Sequence, residues 1–294
     1  MMNNAISFIH NRVKGFELQV FQSAAPKEPM HVLFYLTAAF YGLTSAVFVA
    51  YLLGRKEGLL NWGRWLLGAT LVLHLAMIGS FCKEGLHPLM DASGALNLMA
   101  MFLSIGYLVT LLRWRLGAAG ALILPLAFAL FLSGELTPRG SLAPAEALAK
   151  RLGEVHLTLV ALGVTAFALA AAVSQLYLLQ ESALRSNKLG ALYRRTPSLT
   201  TLDDVGRRLI YVGFPIFTLA VLTGVLWMMR LSQHTNFRPE YAISGIIWLI
   251  FGTLIVARRT VGMRGRRAAV LTLVGFAATA LVLALYIWRR MVAG

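Results

Sequence analysis

The chain has 294 residues, of which 58% are hydrophobic and 13% charged, and its mean hydropathy is +0.71. That composition excludes an ordinary water-soluble domain, and the single cysteine, Cys82, excludes an internal disulfide, a paired-thiol motif or a thiolate metal cluster. The formal charge of +15 is read as membrane topology, not as nucleic-acid binding, because Lys and Arg collect in cytoplasmic loops of membrane proteins.

In chain order, residues 1–30 form an N-terminal segment with the character of an interfacial helix, and its apolar positions are only loosely periodic. It has no apolar core followed by a cleavage site, so it does not read as a signal peptide. Residues 31–294 then read as one transmembrane domain. Eight apolar segments are predicted at about 31–53, 65–82, 92–112, 118–133, 155–180, 209–229, 243–257 and 268–288. Most approach the ~20 residues a helix needs to cross a bilayer. The fourth and seventh are short and are expected to require local thinning of the bilayer. The fold class is therefore an all-α polytopic integral membrane protein with about eight transmembrane helices.

The loops after spans 1, 3, 5 and 7 carry sixteen basic residues, and those after spans 2, 4 and 6 carry six. By the positive-inside rule both termini are predicted outside. The polar stretch from Gln233 to Glu240, between spans 6 and 7, then lies on the outer side.

Six histidines are the candidates for chemistry. His74 lies near the middle of span 2, where an imidazole is either a ligand or relay or an interhelical hydrogen-bonding group. His156 opens span 5 at the outer interface, two residues after Glu154. It is either an axial metal ligand or an interfacial polar residue. His87 reads as a solvated loop residue, and His234 as a group able to assist a site on the outer face. His10 and His31 read as interfacial. No HExxH motif is present, and neither GxSxG nor a nucleotide-binding loop occurs. None of the twelve acidic residues lies well inside a span, which argues against a carboxylate-driven transporter. Gly213 and Gly224, inside span 6, read as sites of close helix packing.

Several segments, taken in order over about residues 35–280, resemble the cytochrome c assembly proteins of the CcsA/ResC type and their HemX-like relatives. "HLAMIGSFCKEGLHPLMDASGALNLMAMFLSIGYLV" resembles that family's His-bearing second span, turn and third span. "LGAAGALILPLAFAL" resembles the fourth, and "EVHLTLVALGVTAFALAAAVSQLYLLQESALRSNK" the fifth with its basic exit. "TPSLTTLDDVGRRLIYVGFPIFTLAVLTGVLWM" resembles the acidic linker and sixth span, and "GMRGRRAAVLTLVGF" the turn into the eighth.

The resemblance implies a haem-binding or haem-relaying membrane subunit of a cytochrome c maturation system, in the cytoplasmic (inner) membrane. It implies a b-type haem, bound weakly or transiently, and as partners other maturation membrane proteins, apocytochrome c and membrane lipid. His156 and His74 match family histidines and would ligate the iron. A tryptophan-rich signature precedes span 7 in the family. Placed in register on Trp248, it falls on Phe237–Ile243: Pro239 agrees, Phe237 stands for Trp, Arg238 for Asp and Ile243 for the last Trp. One family histidine would fall near Val256, and another, after span 8, has no match before Gly294. The implied haem site then comprises His156, His74, Phe237, Arg238, Tyr241, Trp248 and His234, with Phe214 beside the ring and Arg230 as a second cation for the propionates. The alternatives are a non-catalytic membrane scaffold or regulator of haem synthesis that has lost haem binding, and a small-molecule permease. In each case the protein is an assembly factor more than a metabolic enzyme.

Overall fold

A computed structural model describes residues 28–293 other than 55–57, 84–88, 90–91, 138–146, 188–189, 191–192, 194 and 232–238. Most of the segment expected to lie at the interface, 1–27, is outside the described residues, as are His87, His234, Phe237 and Arg238.

The eight expected spans appear as eight helices: α1 Glu28–Leu52, α2 Leu59–Lys83, α3 Ala92–Trp114, α4 Gly120–Leu136, α5 Ala147–Arg185, α6 Leu199–Leu231, α7 Pro239–Thr260 and α8 Arg266–Ala293. Each is long and apolar enough to cross a membrane. Eight successive crossings bring the start of α1 and the end of α8 to one membrane face.

The expected bounds need correction at the two short spans. A 3₁₀ turn at Gly117–Ala119 runs straight into α4, so that the fourth apolar helix has 20 residues, and α7 has 22. At ~1.5 Å per residue each reaches across a ~30 Å hydrocarbon layer, so neither needs a thinned bilayer. α5 has 39 residues and starts eight positions before the expected boundary. Its ~58 Å carry it beyond the hydrocarbon at its ends. Asp203, Asp204, Arg207 and Arg208, expected in a loop, lie in the first turns of α6. A helix satisfies its own backbone and can therefore continue into the polar headgroup region while its charged side chains reach water.

α5 is the spine. Phe167 and its small neighbours Ala168, Ala170 and Ala171 are buried, and small residues let adjacent backbones approach in the absence of a hydrophobic drive between helices. On one side, α1–α4 close around Tyr41, Phe48, Tyr107 and Phe131. On the other, α6–α8 close around Phe167, Phe217 and Phe251, with Phe167 and Phe251 stacked at 3.7 Å.

The antiparallel α5–α6 pair is the most extensive helix contact. A Cβ on Gly163 would lie 3.2 Å from Phe217, and one on Gly213 would lie 2.7 Å from the Ala166 Cβ. As α5 advances, the facing positions on α6 recede in step, which is how a fixed antiparallel register shows itself.

Ionic contacts tie the ends of the second cluster. The Arg258 Nη2 lies 3.1 Å from the Asp203 Oδ1, with 3% and 13% of the two side chains exposed. The same oxygen accepts the Gly265 N–H at 3.3 Å, in a turn where Gly262 and Gly265 have φ of +65° and +69°. Arg258 is therefore a buried anchor between α7 and α6, not the loop residue the sequence suggested. At the opposite ends of α7 and α8, Arg289 Nη1 lies 3.0 Å from Glu240 Oε1.

Candidate haem-ligand site

The α5–α6 seam seats His156 by a reciprocal arrangement. Gly153-Glu-Val-His156 on α5 runs antiparallel to Gly224-Val-Leu-Trp227 on α6. A Cβ on Gly224 would lie 2.7 Å from the His156 Cε1, and one on Gly153 would lie 3.0 Å from the Trp227 ring. Each glycine thus opens the space that the other helix's ring fills. The His156 and Trp227 rings stand 5.7 Å apart, tilted by 36°.

His156 Nδ1 lies 2.8 Å from the Ala220 carbonyl oxygen. A carbonyl only accepts, so Nδ1 carries the ring proton and donates it. Nε2 is then the nitrogen with an unshared lone pair, and no hydrogen bond to it is formed by any described residue. Metal-ligating histidines take this form: one ring N–H held by a carbonyl or carboxylate, the other nitrogen presented to the metal. The ring lies ten residues into α5, deeper along the helix than the expected position at the head of a span, and it is half-buried.

Trp248 sits on the neighbouring side of α6. Its Nε1–H donates to Thr218 Oγ1 at 3.0 Å, and its ring packs on Phe214 at 5.6 Å. At ~100° and ~1.5 Å per residue, Thr218 and Gly224 are about a third of a turn apart around α6 and ~9 Å apart along it. His156 and Trp248 therefore contact different faces of one helix. Tyr241 is seven residues from Trp248, two turns along the same side of α7, and both are partly exposed. Between them Gly245 would meet nothing within 4 Å if it carried a Cβ. Tyr241, Gly245 and Trp248 thus make an open aromatic strip. Ile243 does not join it: this side chain turns inward and packs on the Phe167–Phe251 cluster. Arg230 lies exposed at the end of α6, one turn beyond Trp227.

His74 lies elsewhere. It is fully buried, its Nδ1 is 2.9 Å from the Tyr41 hydroxyl, and its ring meets Tyr41 and Phe131 edge-on. Among the described residues, its buried Nε2 has no hydrogen-bond partner. The hydrogen-bond and ring partners of His74 and His156 do not overlap. The sequence treated the two as one ligand set, whereas the fold assigns them to different sides of α5.

Four contributors were missed in the sequence: Trp227, Tyr41, Ser104, and Gly224 as the seat of a ring. The signal for the seat was present, since the spacing Gly-x-x-His on one helix mirrors Gly-x-x-Trp on the other. Among the described residues, no three His, Cys, Asp or Glu side chains gather as a metal-ion site. Any iron held by these residues would therefore rely on single imidazoles. Each imidazole has its Nδ1 engaged and its Nε2 unspent, which fits axial ligation of haem.

Comparison with known proteins agrees with this architecture. The family described as "Cytochrome C assembly protein" matches residues 86–292. "Cytochrome c biogenesis protein CcsA" of Chlamydomonas reinhardtii is 27% identical over 220 residues, covering 71% of this chain and 60% of that protein. The protein of the same name from Gloeobacter violaceus is 38% identical over 88 residues, covering 30% of this chain and 26% of that protein. The one from Synechococcus elongatus is 38% identical over 77 residues, 26% of this chain and 24% of its own length. The aligned regions thus span less than two thirds of each of these relatives. The family match, running from the α2–α3 connection almost to the end of α8, shows that this multi-pass membrane chain belongs to the cytochrome c assembly protein family.

Proposed function

We propose that this protein handles haem for cytochrome c maturation, with His156 as the axial ligand that the bilayer presents to the iron. The observation that carries the reading is the Nδ1–H hydrogen bond from His156 to the Ala220 carbonyl, which leaves Nε2 as the electron-pair donor. A b-type haem supplies an iron that accepts such a nitrogen and a planar ring that needs apolar walls. Trp227 backs the imidazole, Phe214 and Trp248 offer an aromatic wall, and Arg230 and Arg238 offer positive charge for propionates. Binding is weak and reversible, because Phe237 and Ile243 replace the tryptophans of the family signature.

The reading carries further expectations. The protein acts with other maturation components and with apocytochrome c, in the cytoplasmic membrane, with both termini outside. Residues 31–294 form its working domain, and the thinned signature supports assignment to the HemX-like branch. The same replacements favour a second reading, a scaffold or regulator of haem synthesis without haem. An absorption spectrum of the full chain purified from haem-replete cells separates the two. A Soret band that His156→Ala removes or shifts, and that His87→Ala leaves in place, supports haem handling. Equal spectra for wild type and His156→Ala overturn the assignment of His156, and a wild-type protein with no Soret band supports the scaffold.

A further inference from the structure

We infer that Tyr41 and Ser104 are positioning residues that fix His74 as its Nδ1–H form, so that Nε2 is held as a lone-pair donor inside the α1–α4 half of the bundle. This rests on the haem-handling reading for its purpose, but not for its geometry.

Ser104 Oγ lies 2.9 Å from the Ala100 carbonyl oxygen, and because a carbonyl only accepts, the one Ser104 hydroxyl proton goes there. Tyr41 Oη lies 3.1 Å from Ser104 Oγ, so in this contact Tyr41 is the donor. The other acceptor within reach of the Tyr41 proton, the Ala100 carbonyl at 3.5 Å, lies on the same helix. Either way the Tyr41 proton points at α3. With the Tyr41 proton directed to α3, the 2.9 Å contact to His74 has Tyr41 as the acceptor and Nδ1 as the protonated nitrogen. The relay runs from His74 Nδ1–H to Tyr41 O–H, to Ser104 O–H, to the Ala100 carbonyl, across α2, α1 and α3.

Its consequence is the state of Nε2. That nitrogen is left unprotonated and buried, with no hydrogen-bond partner among the described residues. An unsatisfied acceptor in a low-dielectric interior is unfavourable. Among the described residues either tautomer leaves Nε2 without a partner, and the donor chain ending at the Ala100 carbonyl selects the one in which Nε2 is bare. The orphan lone pair is therefore imposed by its neighbours. Phe131 stands edge-on at 5.1 Å, and Phe131 is itself stacked on Phe34 at 5.2 Å. Aromatic rings thus connect the buried imidazole to Phe34, beside the exposed Tyr35. The arrangement is that of a ligand with its supporting groups in place: a nitrogen donor, a fixed tautomer and flat apolar neighbours.

The test uses the full chain with nitrogen-15-labelled histidine in lipid bilayers, first without haem. Nitrogen NMR reads which ring nitrogen is protonated, and His74→Gln assigns the His74 signals by their loss. The expected wild-type result is Nδ1–H with bare Nε2. Tyr41→Phe and Ser104→Ala should each convert this to a mixture or to Nε2–H, and Ser104→Thr, which keeps the hydroxyl, should restore it. A wild-type Nε2–H form overturns the inference, as does a wild-type tautomer that neither variant changes. Ferric protoporphyrin IX is then titrated. Removing such a supporting group from a metal ligand weakens binding about 10- to 100-fold, so Tyr41→Phe should raise the half-saturating concentration for the His74 signals by that factor. If the tautomer behaves as stated but the porphyrin leaves the His74 signals unmoved, the positioning stands and the assignment of haem to His74 falls.

Discussion

A Cβ on Gly224 would lie 2.7 Å from Cε1 of His156, so the position of the imidazole on α5 depends on the absence of a side chain on α6. Gly224→Val should displace the ring and break its hydrogen bond to Ala220. Overpacking of this kind typically costs about 1–3 kcal/mol. Thermal unfolding should show that loss, and any haem spectrum should shift as it does for His156→Ala. Gly245→Ala is the control, because an added Cβ there would meet nothing within 4 Å. It should not lower stability, and the helix propensity of Ala over Gly should raise it by up to ~1 kcal/mol.

The two ion pairs on neighbouring residues of α6 should differ sharply in weight. Asp203 pairs with Arg258, of which only 3% of the side chain is exposed. Asp203→Ala strands a buried guanidinium and removes the acceptor of the Gly265 N–H, and losing one partner of a buried pair typically costs about 3–5 kcal/mol. Asp204→Ala opens an exposed pair with Arg207, and such pairs contribute about 0–1 kcal/mol. Denaturation of the two variants in matched detergent should rank them in that order. Equal losses would contradict the burial argument.

The worn signature before α7 can be tested by partial restoration. Phe237→Trp, with Arg238 kept as a cation for the propionates, should raise haem occupancy, because each additional ~1.4 kcal/mol of aromatic contact is worth about tenfold in affinity. Ile243→Trp should not be added, since Ile243 packs inward on the second aromatic cluster and a larger ring there typically costs about 1–3 kcal/mol. A Phe237→Trp variant that inserts normally and gains no haem would favour the scaffold reading.

Orientation follows from the loop charges and is open to labelling. Cysteines are placed singly at Ser186 and Thr235 in a chain whose exposed Cys82 has been replaced. A membrane-impermeant thiol reagent added to intact cells should mark only position 235. Reaction at position 186 would invert the topology.

The amino-acid sequence was enough to place the eight helices, because in a bilayer the apolar length of a segment and the need for internally satisfied backbone decide almost everything about it. It also pointed to His74 and His156, since an imidazole in hydrocarbon needs a partner whatever its neighbours are. It misjudged the ends of α2, α4, α5, α6 and α7, where helices continue past the hydrophobic stretch and polar residues such as Asp203 and Arg207 are carried in helical turns. What each histidine does with its two nitrogens was set by packing between helices. That choice depends on a carbonyl sixty-four residues away for His156, and on a tyrosine thirty-three residues away for His74. It also separated the two histidines onto different sides of α5 and turned Ile243 away from Trp248. Hydropathy fixes which segments enter the membrane, but the rotation of each helix about its axis is set by packing, by the glycines and rings that interlock along the α5–α6 seam.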